Sequence, residues 1–146
     1  MNLASNLFLL TFMMALAPAG PGLAQDAVPS AAPVGRMVFF DWAKPELSGD
    51  AKTTLDRIAA VALVSGGGRV RLEAHTDRSG SAEVNLRSAR RRAAEVRDYL
   101  IAKGVAAGSI SITSFGESRP LIPTADGVRE VQNRRVEIIL DPAPAR

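Results

Sequence analysis

From Arg69 to Ala74 the chain alternates, with Val70, Leu72 and Ala74 to one side and Arg71 and Glu73 to the other. A period of two puts successive side chains on opposite faces, so this segment predicts a strand with one face buried. The alternation recurs over Arg134–Leu140, where Val136, Ile138 and Leu140 interleave with Arg135, Glu137 and Ile139. Ser109 to Phe115 predicts a third strand, with Ile110 and Ile112 on one face, and the apolar run Met37-Val38-Phe39-Phe40 a short buried one. Between the strands the period lengthens. Leu55, Ile58, Ala59 and Ala62 recur at helical spacing behind Ser48, an N-cap residue, and the pattern ends near Val64, before Ser65-Gly66-Gly67-Gly68. A second helix is predicted from about Ser81 to Lys103, with Gly104 closing it and the Lys103 ammonium at the negative end of its dipole.

The resulting order, β-α-β-α-β-β, predicts an α/β (α+β) two-layer sandwich: a mixed four-stranded sheet with both main helices on one face. The stretch Gly116–Asn133 contains Pro120, Pro123 and Gly127, which predicts an irregular loop or a short helix.

The second helix sorts its arginines by angle. At about 100° per residue, Ala82, Leu86, Ala93, Val96 and Leu100 fall within about 60° of Ala89 and form the expected core stripe. Arg87 and Arg91 fall about 160° away and point to solvent. Arg92 lies about 60° from the stripe's centre, on the flank opposite Arg90, and Asn85 is within about 20° of it. With the small Ser88 between them, Asn85 and Arg92 make a polar shoulder beside the apolar stripe. That shoulder faces the strand end at Asp77, so a carboxylate and a guanidinium on neighbouring elements become a candidate clamp for a small zwitterion. A direct Asp77–Arg92 salt bridge is the plainer alternative.

Length and composition set the frame. The chain has 146 residues, enough for one domain. The first 24 residues carry no charged side chain, and the mostly apolar run Leu7–Leu16 is followed by Ala17-Pro18-Ala19-Gly20-Pro21-Gly22-Leu23-Ala24. This predicts a secretory signal peptide over 1–24, cleaved after Ala24, with an uncleaved membrane anchor as the alternative; the run is shorter than the roughly 20 apolar residues a spanning helix needs. Residues 25–35 have linker composition, the globular domain is expected over 36–141, and 142–146 read as a flexible tail. With no cysteine, disulfides, thiolate zinc sites, cysteine nucleophiles and a thiol for an N-terminal lipid are not expected. The single histidine, His75, cannot build a histidine-rich metal site, and neither metal nor cofactor is expected.

The formal charge of +3 favours anionic surroundings without choosing among them. Nucleic acid is not the expected partner: five Phe, one Tyr and one Trp leave few stacking platforms, and the export signal points elsewhere. His75 and Asp77, two apart, could share a strand face, but no serine is specified beside them as a nucleophile, so catalysis is not expected.

One constellation is specific. His75-Thr76-Asp77, Gly80, Asn85 and Arg92-Ala93 stand at the end of a predicted strand, in a turn and along a helix. Phe39-Phe40-Asp41 precedes Lys44 and Leu47, and Phe115-Gly116-Glu117, Pro120 and Asn133-Arg134-Arg135-Val136-Glu137-Ile138 follow. In this order and spacing the residues resemble the OmpA-like C-terminal domain family, shared by outer-membrane protein A, the flagellar stator protein MotB and the peptidoglycan-associated lipoprotein. The resemblance covers about residues 36–141. It implies non-catalytic peptidoglycan binding through the meso-diaminopimelate residue of the stem peptide, tethering the protein to the cell wall.

The resemblance implies that Asp77 pairs with the ligand ammonium and Arg92 with its carboxylate. It further implies that Asn85 positions the loop or touches the ligand, and that Thr76 and the 78–80 turn frame the pocket. Asp41 and Arg134 join the implied ligand-binding set, although either Arg134 or Arg135 fits the rim. The segment Asp126–Gln132 is longer than the family's shortest version, which leaves the rim open. The implied location is the periplasm, associated with the outer membrane, with outer-membrane or other envelope proteins as further partners. The alternative is a structural or interaction domain of an envelope complex with weak or no peptidoglycan binding.

Overall fold

The computed structural model describes residues 36–66 and 68–141. The expected signal peptide, linker and tail lie outside the described residues. Six main elements follow in order: β1 (Met37–Phe39), α1 (Gly49–Val64), β2 (Arg69–His75), α2 (Ala82–Ala102), β3 (Ile110–Gly116) and β4 (Arg135–Asp141). The strand order is β1-β4-β2-β3, with β2 and β3 parallel and β4 antiparallel to both β1 and β2. The sheet is therefore mixed, and the fold is the two-layer sandwich that the chain's periodicity predicts. No helix among the described residues is long and apolar enough to cross a membrane.

Local chemistry explains both helix starts. The Ser48 side chain accepts from the Ala51 N–H and the Ser81 side chain from the Val84 N–H, so each helix begins where a hydroxyl satisfies an otherwise orphaned amide. Gly104, at φ 100, lies just beyond the end of α2, in a conformation that a Cβ disfavours. One core joins the layers: Leu55 and Ile58 of α1, Ala93, Val96 and Leu100 of α2, Val70 and Leu72 of β2, and Val136 and Ile138 of β4 are all buried.

Two expectations are corrected. Ala82 and Leu86 are exposed, and the N-terminal half of the buried face of α2 is Asn85, Ala89 and Arg92 instead. The first turns of this helix lie over the end of β3 and not over the apolar core. Leu86 rests on Gly116, where a Cβ would come within 3.2 Å of the Leu86 nitrogen. The helical angle placed the stripe correctly only where the core lies beneath it, from Ala89 to Leu100.

The second correction concerns His75. The β2–β3 register shifts between Ala74 and His75, and β2 ends at His75. Alternation therefore stops before Asp77, and the two side chains do not share a face. His75 stacks on Phe115, with ring centroids 5.3 Å apart, and faces Glu137 at 3.7 Å.

Candidate binding site

Where β2 ends, its chain passes through Thr76 and Asp77 and turns into α2. Both side chains are buried. Asp77 is held on all sides: Oδ1 accepts from the Ser79 hydroxyl at 2.6 Å and the Ser79 N–H at 3.2 Å, while Oδ2 accepts from Arg134 Nη1 at 2.7 Å and the Glu130 N–H at 3.2 Å. Four donors fill the acceptor capacity of a carboxylate. Burial alone would raise the Asp77 pKa, but the bonds from Ser79 and Arg134, with the backbone amides, outweigh it and hold the carboxyl below its ordinary value.

Arg134 comes from the turn before β4. Its Nε donates to the Phe40 carbonyl at 3.0 Å, so it joins Asp77 to the end of β1. Arg135 turns to the other face of the sheet and pairs with Glu137 at 2.6 Å. The choice that the sequence leaves between these two arginines is made by Arg134, which lines the cavity.

Arg92 enters the same space from α2. It is buried, yet no Asp or Glu among the described residues forms an ion pair with it; its Nη2 makes one long contact, 3.4 Å, to the Asp41 carbonyl. Its guanidinium also lies 5.5 Å from the Phe40 ring centroid. Burial and then the neighbouring Arg134 guanidinium lower the Arg92 pKa, and Asp77 opposes them. The expected alternative, a closed Asp77–Arg92 salt bridge, is absent from the described residues, because Arg134 takes the carboxylate.

Thr76, Asp77, Ser79, Asn85, Arg92 and Arg134 line a cavity of about 150 Å³, with Ser88 of the polar shoulder and Trp42, Ala43 and Val84 completing it. Asn85 is buried and its amide donates to Glu117. Thr76 Oγ1 is buried with no hydrogen-bond partner among the described residues. Two expected residues stand apart. Gly80 is exposed and outside the lining; its φ of 125 permits the turn, while the Ser79 N–H in that turn is used by Asp77. Asp41 contributes its carbonyl to Arg92, and its residue lines a neighbouring groove beside β1 and α1 rather than this cavity.

Residues 126–130, which the sequence leaves open as the rim, brace the cavity from outside and do not line it. The Gly127 N–H donates to the Arg78 carbonyl at 2.7 Å, Arg78 pairs with Asp126, the Glu130 N–H reaches Asp77, and Arg129 stacks on Trp42. Asn133 secures the preceding loop, accepting from the N–H groups of Leu121 and Ile122 and donating to the Ile122 carbonyl, each at 2.8 Å. Sequence reasoning missed Trp42, Ala43 and Val84 as lining residues. An exposed tryptophan next to a predicted strand was the available signal for the first.

Glu73, His75 and Glu137, on the face of the sheet opposite the core, bring three potential metal-ligand atoms within 4.8 Å of one another. Arg71 already pairs with Glu73 and Arg135 with Glu137, so the carboxylates have cations. Burial, and then Arg135, push the His75 pKa down to about 4.

Comparison with known proteins places the fold. The profile of the OmpA family matches residues 39–134. An outer membrane protein of Gluconacetobacter diazotrophicus is 37% identical over 110 residues, covering 71% of this chain and 29% of that protein. A peptidoglycan-associated lipoprotein of Mesorhizobium japonicum is 37% identical over 125 residues, covering 86% of this chain and 73% of the relative. The match thus spans less than a third of the first relative's length. The crystal structure of the peptidoglycan-associated lipoprotein from Burkholderia pseudomallei superposes with a TM-score of 0.68 at 25% identity, covering 73% of this chain and 90% of that one. The C-terminal domain of Helicobacter pylori MotB shares the fold, with a TM-score of 0.65 at 24% identity, covering 74% and 85% respectively.

Proposed function

The chain belongs to the OmpA family, and from that premise we propose that it binds peptidoglycan in the cell envelope, without catalysis, through the diaminopimelate residue of the stem peptide. One observation carries the reading: Arg92 is a buried guanidinium, in the wall of a cavity, with no carboxylate partner among the described residues. A buried charge is costly until it is paired, so the site favours an anion. A guanidinium fork matches a carboxylate bidentately, which a lysine ammonium does not.

Diaminopimelate offers that carboxylate on a carbon that also bears an ammonium. The ammonium needs an acceptor beside Arg92. Asp77 supplies it if the Ser79 hydroxyl rotates away from Oδ1. Arg134 acts as a positioning residue, holding Asp77 in place. Charge-assisted bonds of this kind contribute about 1.5–3 kcal/mol each, so single-site affinity is modest and attachment to a polymer with many sites raises it. The location that follows is the periplasm, at the outer membrane.

The test is co-sedimentation of the full chain with purified sacculi. Arg92→Ala should reduce pelleting at least about tenfold with an unchanged circular dichroism spectrum. Undiminished pelleting refutes the site. Sacculi carrying lysine in place of diaminopimelate lack the side-chain carboxylate and should bind more weakly; equal binding refutes diaminopimelate as the group Arg92 reads while leaving peptidoglycan binding in place.

A further inference from the structure

The cavity has a polar floor and an apolar mouth. Trp42, from the loop after β1, and Val84, from the first turn of α2, both line it, and they are 48% and 44% exposed. An indole half in water has no core to explain its position. It is nevertheless held firmly. The Arg129 guanidinium stacks on one face of it at 3.6 Å from the ring centroid, and Arg129 does not line the cavity.

The supports on either side are tied down. Ala43, the next residue, has φ 56, a left-handed conformation that costs a residue with a Cβ about 1 kcal/mol or more. The Asp41 carbonyl receives the Arg92 guanidinium and the Lys44 N–H, each at 3.4 Å. The segment bearing Arg129 is fastened at Arg78 and Asp77. A stacked cation on a hydrogen-bonded loop thus holds the indole at the mouth.

We propose that Trp42 is a ligand-contacting residue: its open face, with Val84 opposite, grips the aliphatic stem between the head group held at Arg92 and the rest of the polymer. This rests on the diaminopimelate reading and adds what charge recognition lacks, discrimination by stem length. Diaminopimelate carries a short run of methylenes between its two α-carbons. Alanine has the same ammonium–carboxylate head and no such stem, so it reaches Arg92 and misses the indole. Burying a few methylenes is worth about tenfold or more in affinity.

Trp42 is the one tryptophan of the chain, so indole emission reports on it directly. The full chain is titrated with free meso-diaminopimelate and with alanine, following emission and heat. Diaminopimelate should shift the emission and bind about tenfold more tightly than alanine. Trp42→Ala should remove that advantage, leave alanine binding unchanged and preserve the melting temperature, while Trp42→Phe should restore most of it. Equal binding of the two ligands by the wild-type chain, or full diaminopimelate affinity in Trp42→Ala, overturns the proposal while Arg92-dependent binding keeps the underlying site. Binding of neither ligand, or binding indifferent to Arg92→Ala, overturns both.

Discussion

Asp77 and Arg134 form a buried ion pair, Oδ2 to Nη1 at 2.7 Å, and by doing so they leave Arg92 without a carboxylate. The two arginines that enter the cavity are thus unequal. Arg134 is consumed in holding the floor together, and Arg92 is available.

Breaking that pair should be expensive. Asp77→Ala strands the Arg134 guanidinium in a buried position and also removes the acceptor for Ser79 and Glu130, so it should cost about 3–5 kcal/mol of stability. Urea unfolding followed by circular dichroism measures it. A cost near zero would mean that Arg134 finds solvent or another partner. Loss of binding in this variant reports on the fold as well as the site, which makes Arg92→Ala the cleaner probe.

The same pair sets an acid limit. The Asp77 carboxyl titrates below its ordinary value of 3.8 in the folded protein. Its contribution is therefore fully present above that ordinary value and is lost as pH falls through the lower folded one. The stability difference between wild type and Asp77→Asn should be constant from neutral pH down to about 5 and shrink below about 4. A difference already declining at pH 6 would contradict the depressed value.

His75 predicts a second, separate dependence. Its folded pKa is about 4, against 6.5 for the free side chain, because burial and then Arg135 disfavour the imidazolium while Glu137 opposes them. Between those values the unfolded chain binds the extra proton, so stability rises with pH across the window from about 4 to 6.5. The full change is about 3 kcal/mol. His75→Phe should flatten this slope whatever it does to absolute stability. An unchanged slope would assign the dependence to other groups.

Asn133 should be disproportionately important for its size. It is fully buried, and its one amide meets three backbone groups of the Leu121–Ile122 segment. Asn133→Ala leaves those groups without partners and should cost about 2–4 kcal/mol. Hydrogen exchange at the Leu121 and Ile122 amides should accelerate together. Retained protection would show that water or a shifted loop replaces the side chain.

Much of the fold was legible in advance. Ser48 and Ser81 mark their helix starts, and Val70, Leu72, Val136 and Ile138 mark one sheet face, because these signals are local: an N-cap satisfies an amide two or three residues on, and alternation follows from backbone geometry alone. The polar shoulder of α2 was legible for the same reason, since Asn85, Ser88 and Arg92 share an angle whatever lies opposite. Leu86 was misjudged because a helical angle says which way a side chain points and not whether anything covers it.

The chain by itself determined which residue types would stand at the end of β2 and along the inner flank of α2, and hence that a carboxylate and a guanidinium would be neighbours. Only the tertiary structure decided their partners. The order β1-β4-β2-β3 inserts β4 beside β2, and this delivers Arg134 to a carboxylate 57 residues away in sequence. Periodicity repeats over a few residues and carries no record of such a meeting. Arg92 is left unpaired, and Trp42 is set over the mouth, by contacts between segments that no local pattern connects.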